Sequence, residues 1–199
     1  MTMAVVRTVR ILSFDPGLTV SGWAVLDFNM HDGIMTVSKL GMLTPNKIVS
    51  RADMRDEVDK YGKRLMTLST LRDMVTELYE EYKPDYIAVE DNFFNSKYPT
   101  AYAALIHWTM TVDFLMKDKY GKPVYKIPPK LIKQYISGSG DASKVSVQQA
   151  IMDNDKIVFR SNQLYNNLME HTADAIAIGW AFLQEFLPIL SKELPDEEK

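Results

Sequence analysis

The sequence predicts an α/β domain in which helices cover a mixed sheet. Two patterns carry that reading. Short runs rich in aliphatic and aromatic residues, of strand type, occur at 9–15, 21–28, 34–43, 86–90 and 122–127. Between and after them, apolar residues recur at steps of three and four, the period of a helix buried along one face. A chain of 199 residues suffices for one well-buried domain and leaves little for a second. The expected arrangement is a mixed five-stranded sheet flanked by helices, formed by residues 1–190, with 191–199 as an acidic flexible tail.

The elements follow in order. The first strand, 9–15, stops at Asp15, because Pro16 holds the residue before it extended and Gly17 permits a tight turn. Strands at 21–28 and 34–43 flank His31-Asp32-Gly33, a hairpin signal, so three antiparallel strands in a meander are expected. A polar loop around Pro45 precedes one long amphipathic helix over 51–82. Its stripe is Val58, Tyr61, Leu65, Leu68, Leu71, Val75, Leu78 and Tyr82, and Lys83-Pro84-Asp85 ends it. Residues 86–90 form a fourth strand, too apolar to be half exposed. The loop 91–98, rich in aromatic and amide side chains, leads to a helix from Pro99 to about Lys119. A fifth strand at 122–127 is halted by Pro128-Pro129. Helices at 130–136 and 143–152 are separated by Ser137-Gly138-Ser139-Gly140, with Ser143 as a cap. A less regular stretch, 153–167, precedes the last helix, 172–187. This order lets the first and fourth strands lie side by side.

Composition removes several classes of function. There is no cysteine, hence no disulfide framework and no thiolate metal site. Arg7 and Arg10 interrupt the first apolar run, which gives no signal-peptide pattern, and no stretch is long and apolar enough to span a bilayer. A cytoplasmic protein without a membrane partner is the expectation. The methionines read as core filling, and no small-molecule organic cofactor is expected. The formal net charge is −3, yet 117–144 carries seven lysines (117, 119, 122, 126, 130, 133 and 144) against Asp118 and Asp141. A locally basic face on an acidic protein suits contact with a phosphate backbone on one side only.

The chemistry-bearing residues stand where apolar elements begin or end. Asp15 closes the first strand, Glu90 closes the fourth, and His171 and Asp174, three apart and so on one helix face, open the last helix. Carboxylates at such places are costly to desolvate unless a cation joins them. A divalent metal answers that cost, and phosphodiester hydrolysis is a chemistry that uses such clusters. Each residue also has a plainer reading. Asp15 could simply form the Asp-Pro-Gly turn, Glu90 could accept a backbone N–H, Asp174 could complement the helix N-terminus, and His171 could cap it. His31 and His107 read as structural.

Asp15-Pro16-Gly17 with Gly22, Ile87-Ala88-Val89-Glu90 and His171-Thr172-Ala173-Asp174-Ala175 together resemble the RuvC family of Holliday-junction resolvases. Ile132-Lys133-Gln134 and the run from Ser137 to Lys144 look like that family's basic segment. The resemblance covers about 11–179, and the divergent sequence between the pieces fits a phage or otherwise distant member, which would act in the host cytoplasm.

The resemblance implies an RNase H-like fold and a homodimer that cleaves branched DNA, the four-way junction first, with symmetric cuts. It implies two Mg²⁺ or Mn²⁺ ions per active site, with Asp15 bridging both and Glu90 and Asp174 each supporting one side. His171 stands where the family often has Asp and completes the metal-binding and catalytic set, since a neutral imidazole suits Mn²⁺ better than Ca²⁺; alternatively it orients the attacking water. Glu170, four before Asp174, could support that residue. Lys133 and Lys144 match the family's basic positions and would meet phosphate; Lys130 reads first as a solvated lysine and second as a DNA contact. Phe93 and Phe94 follow Glu90, and either one stacks on unpaired bases at the junction or both pack beneath the loop; Tyr98 is a weaker candidate of that kind. Three other readings compete: a fork or flap nuclease with little four-way preference, an inactive junction-binding protein of the same fold, and an actin-like or sugar-kinase ATPase. The last needs a second phosphate-binding half, which this sequence lacks.

Overall fold

The computed structural model describes residues 7–92, 99–166 and 168–189. Its centre is a six-stranded sheet in the order β5-β4-β1-β2-β3-β6. The meander β1 (Thr8–Asp15), β2 (Ser21–Asn29) and β3 (Met35–Leu43) is antiparallel, as its hairpin signal predicts. β4 (Tyr86–Glu90) lies parallel to β1 in the register Phe14 to Val89, and β5 (Val124–Ile127) lies parallel to β4.

Alternation along β1 sorts the core into two layers. Val9 and Ile11 face one side, where α8 (Glu170–Glu185) is packed. Leu12 and Phe14 face the other, against α3 (Lys63–Tyr82) and α4 (Pro99–Leu115). The middle of α8 is buried all round and packs close on the sheet at Gly179, where a Cβ would stand 2.0 Å from Cδ1 of Leu26 and would make that side chain shift. α5 (Pro129–Ser137) and α6 (Lys144–Asp153) flank α8. Ser143 caps α6 by accepting the Ser146 N–H at 3.1 Å. Among the described residues, no helix is long and apolar enough to cross a membrane.

Three expectations need correction. The sheet has a sixth strand: β6 (Ile157–Phe159), inside the stretch expected to be irregular, pairs parallel with β3 from Met35 to Val37. Three residues are too few to display an alternating pattern. The single helix over 51–82 is instead two, α2 (Arg55–Tyr61) and α3, broken at Gly62, whose φ of +84° and ψ of 142° suit glycine alone. The apolar stripe runs on across the break, but its first half is not core: Tyr61 and Leu65 are exposed while Leu71, Val75 and Leu78 are buried. The loop around Pro45 holds a short helix, α1 (Pro45–Val49), started by a proline at its first turn. The short helix α7 (Asn162–Asn166) follows β6.

Candidate active site

The parallel register of β1 and β4 brings out Asp15 and Glu90 at the same end of the sheet. On its other side Asp15 pairs with Gly22 of β2. Gly22 sets the third element of the site. A Cβ at that position would lie 1.9 Å from the carbonyl oxygen of His171, so only glycine lets the first turn of α8 settle on the strand end. Thr172 fixes that turn by accepting the Met169 N–H through Oγ1 at 2.9 Å. His171 and Asp174 are thereby delivered beside Asp15, and Nδ1 of His171 lies 2.7 Å from Oδ2 of Asp15.

These four residues line one cavity of about 340 Å³, with Lys133 of α5 and Lys144 of α6 at its wall and Ile132 and Val147 as its apolar lining. Its electrostatics are those of uncompensated negative charge. Burial, then the charges of Asp15 and Asp174, push the Glu90 carboxyl up to about 7. Burial, then Asp15, push Asp174 up to about 6. Asp15 is also raised by burial, with the bond to His171 acting against it. Among the described residues, no three acidic or imidazole groups stand close enough to hold an ion as they are. The donor set nonetheless fits a hard divalent cation: three carboxylates, all raised by desolvation and two of them, Glu90 and Asp174, also by neighbouring site carboxylates, are the groups such a cation would stabilise.

The lysine-rich segment is less free than its composition suggests. Lys119 pairs with Glu80 at 3.3 Å, Lys126 with Asp113 at 2.5 Å and Lys117 with Asp118 at 3.9 Å. Lys122 donates to the carbonyl of Asp85 at 3.4 Å. Lys130 is 83% exposed, faces Asp141 at 3.9 Å and does not line the cavity. Lys144 reaches the cavity but is held by Glu170, which the sequence suggested as a neighbour of Asp174. Lys133, by contrast, lines the cavity, has no ion pair or side-chain hydrogen bond among the described residues, and lowers the proton affinity of Glu90. Phe93, Phe94 and Tyr98 lie outside the described residues. The sequence reading missed Ser21 and Trp108, which hold the turn after Asp15; a serine at the start of a strand and an aromatic in a helix carry no signal of that link.

A sheet of this order, with carboxylates at the ends of neighbouring parallel strands and on the helix that crosses them, is RNase H-like. Within that class, the family described as crossover junction endodeoxyribonuclease RuvC matches residues 11–182, and the chain belongs to it. The RuvC of Brevibacillus brevis is 28% identical over 183 residues, covering 91% of this chain and 96% of that one. The RuvC of Methylorubrum extorquens strain PA1 is 31% identical over 145 residues, 72% of this chain and 67% of its relative. Among solved structures, Thermus thermophilus RuvC in complex with Holliday junction substrate is similar with a TM-score of 0.63 at 18% identity, covering 92% of this chain and 96% of that chain. The yeast mitochondrial Holliday junction resolvase Ydc2 gives 0.60 at 15% identity, over 96% and 87%. At such identities the structural likeness speaks for the fold.

Proposed function

We propose that this protein is a metal-dependent DNA endonuclease that resolves four-way junctions, each subunit of a homodimer cutting one strand. The observation that carries the reading is the meeting of Asp15, Glu90 and Asp174, from three separate elements, in one cavity walled by Lys133 and Lys144. The names of the family and of its relatives point the same way.

Asp15, Glu90 and Asp174 would hold Mg²⁺ or Mn²⁺, two ions on the pattern of phosphodiester-cleaving sites, which supply an activated water and stabilise the leaving oxygen. The protein's own groups do the rest. Lys133 and Lys144 receive the phosphodiester as charge-assisted donors. An ionised Asp15 accepts hydrogen bonds only, so His171 must donate to it from Nδ1; a neutral ring then presents an unprotonated Nε2, able to ligate an ion or take a proton from water. A two-fold dimer matches a two-fold substrate. Met110 and Phe114 of α4, 47% and 55% exposed, make that helix the candidate subunit contact.

The test is cleavage of end-labelled four-way junction, fork, flap and plain duplex, with Mg²⁺ and with Mn²⁺. Paired symmetric nicks in the junction are expected. Uncut junction that is still bound would overturn the enzyme and leave a binding protein, and equal cutting of fork and flap would replace junction resolution with a broader branched-DNA activity.

A further inference from the structure

The turn that follows Asp15 is held by a hydroxyl with no hydrogen-bonding capacity left. Ser21, fully buried at the start of β2, donates through Oγ to the carbonyl of Gly17 at 2.6 Å. The same oxygen accepts the Gly17 N–H at 3.1 Å and the Nε1–H of Trp108 at 2.8 Å. A serine hydroxyl offers one donor and two acceptor sites, and all are used. Two of the bonds grip both backbone groups of Gly17. The turn they close is tight, since a Cβ on Gly17 would lie 2.2 Å from the Val20 carbonyl oxygen. The third bond comes from α4, 87 residues along the chain.

Trp108 acts on the other side of Asp15 as well. Its ring, fully buried, meets Phe14 edge-on with centroids 5.6 Å apart. One side chain of α4 thus touches the residue before Asp15 directly and the second residue after it through Ser21. An indole N–H only donates, so no hydrocarbon ring can replace Trp108 without emptying an acceptor site of a buried hydroxyl.

We infer that Ser21 and Trp108 are positioning residues that set the orientation of the Asp15 carboxylate for strand cleavage; this rests on Asp15 acting as proposed above. The pair forms no wall of the cavity and acts from behind it, through the residues on either side of Asp15.

The experiment compares wild type, Ser21→Ala, Trp108→Phe, the double variant and Val112→Ala. Each is assayed for single-turnover cleavage of a four-way junction at saturating Mn²⁺, for junction affinity and for melting temperature. Val112 is buried one turn further along α4 and touches none of these hydrogen bonds, so its truncation reports core loss alone. Ser21→Ala and Trp108→Phe are expected to slow cleavage by roughly 10- to 100-fold, the cost of a misplaced reacting group, with junction affinity unchanged. The double variant should be no slower than Ser21→Ala, because Trp108→Phe keeps a ring against Phe14 and removes only the N–H that Ser21 accepts. Val112→Ala should cut at the wild-type rate below its melting temperature. A wild-type rate in Trp108→Phe, additive losses in the double variant, or an equal loss in Val112→Ala would overturn the inference while leaving the nuclease in place. An inactive wild type would instead remove the role of Asp15, and this clamp with it.

Discussion

The hairpin of β1 and β2 carries an aspartate near each end, and the two are treated in opposite ways. At one end Asp27, opposite Arg10 and only 8% exposed, is fully compensated. Arg10 Nε donates to it at 2.7 Å, Ser38 Oγ at 2.5 Å and Arg160 at 3.1 Å. Burial alone would raise its pKa, but the bonds from Arg10 and Ser38 and the two guanidinium charges win, and the group is held below its ordinary value. At the other end Asp15 meets two more carboxylates and an imidazole, and all three acids are raised. A buried acid provided with partners tightens a fold. Buried acids set against one another destabilise it, and a protein keeps them where something brought from outside completes the charge.

The comparison can be broken first at Asp15. Asp15→Asn should lower cleavage by roughly 10²- to 10³-fold or more, the order lost with one transition-state-stabilising group, while junction affinity stays near wild type. Metal-dependent cutting at full rate would show that the acidic end is not the reacting end. The matching change at the other pole is Asp27→Ala. It strands two arginines that are both partly exposed, so the cost falls at or below the low end for broken buried pairs, about 2–3 kcal/mol, read as a lower denaturation midpoint. Cleavage at a permissive temperature should survive.

The two poles also predict opposite dependence on pH. Asp27, lowered in the folded state, stabilises above its ordinary value of 3.8, and this is lost as pH falls through its folded pKa. Glu90 runs the other way. Its folded pKa of about 7 exceeds its ordinary 4.5, so between those values the native state binds more protons than the unfolded chain. Metal-free protein therefore loses stability as pH rises through that window. Glu90→Gln should remove this loss, gaining about 1–3 kcal/mol at pH near 8 and little near pH 5. Mn²⁺ should raise the wild-type melting temperature at the higher pH and hardly at the lower. A metal-free melting temperature that climbs with pH across the window would reverse the sign assigned to this pole.

Legibility in the sequence divides along the same line. Asp15, Glu90, His171 and Asp174 each stand at the end of a strongly patterned element; element order suggested that Asp15 and Glu90 meet, and the family resemblance added His171 and Asp174. The Asp27 cluster draws on Arg160, 133 residues away beside a three-residue strand, and no local pattern points to it. The break at Gly62 was visible only as a glycine inside a helical stripe, and the stripe outweighed it. Lys130 and Lys133 stand on one helix, and it was the family resemblance, not periodicity, that set Lys133 apart. Their difference lies in rotation about that helix: Lys133 turns to the cavity with Ile132, while Lys130 turns toward Gly140 and Asp141. The contact of Gly22 with His171 is a packing fact, and a glycine in a strand hints at it without naming the partner.

The smallest effect expected is at Lys144. It begins α6, where a cation opposes the helix dipole, and Glu170 compensates it from the start of α8. Both side chains are largely exposed, and exposed ion pairs hold weakly, so a DNA phosphate can take the carboxylate's place at little cost. Lys144→Gln should weaken junction binding alike for all sequences and reduce the slope of log affinity against log salt by about one. Glu170→Gln should act in the opposite sense, binding a few-fold tighter, and that gain should vanish when Lys144 is also replaced. Anisotropy titrations of a labelled junction over a range of salt concentrations measure all three variants. Weaker binding by Glu170→Gln would mean that the carboxylate aims Lys144 at the phosphate instead of standing in for it.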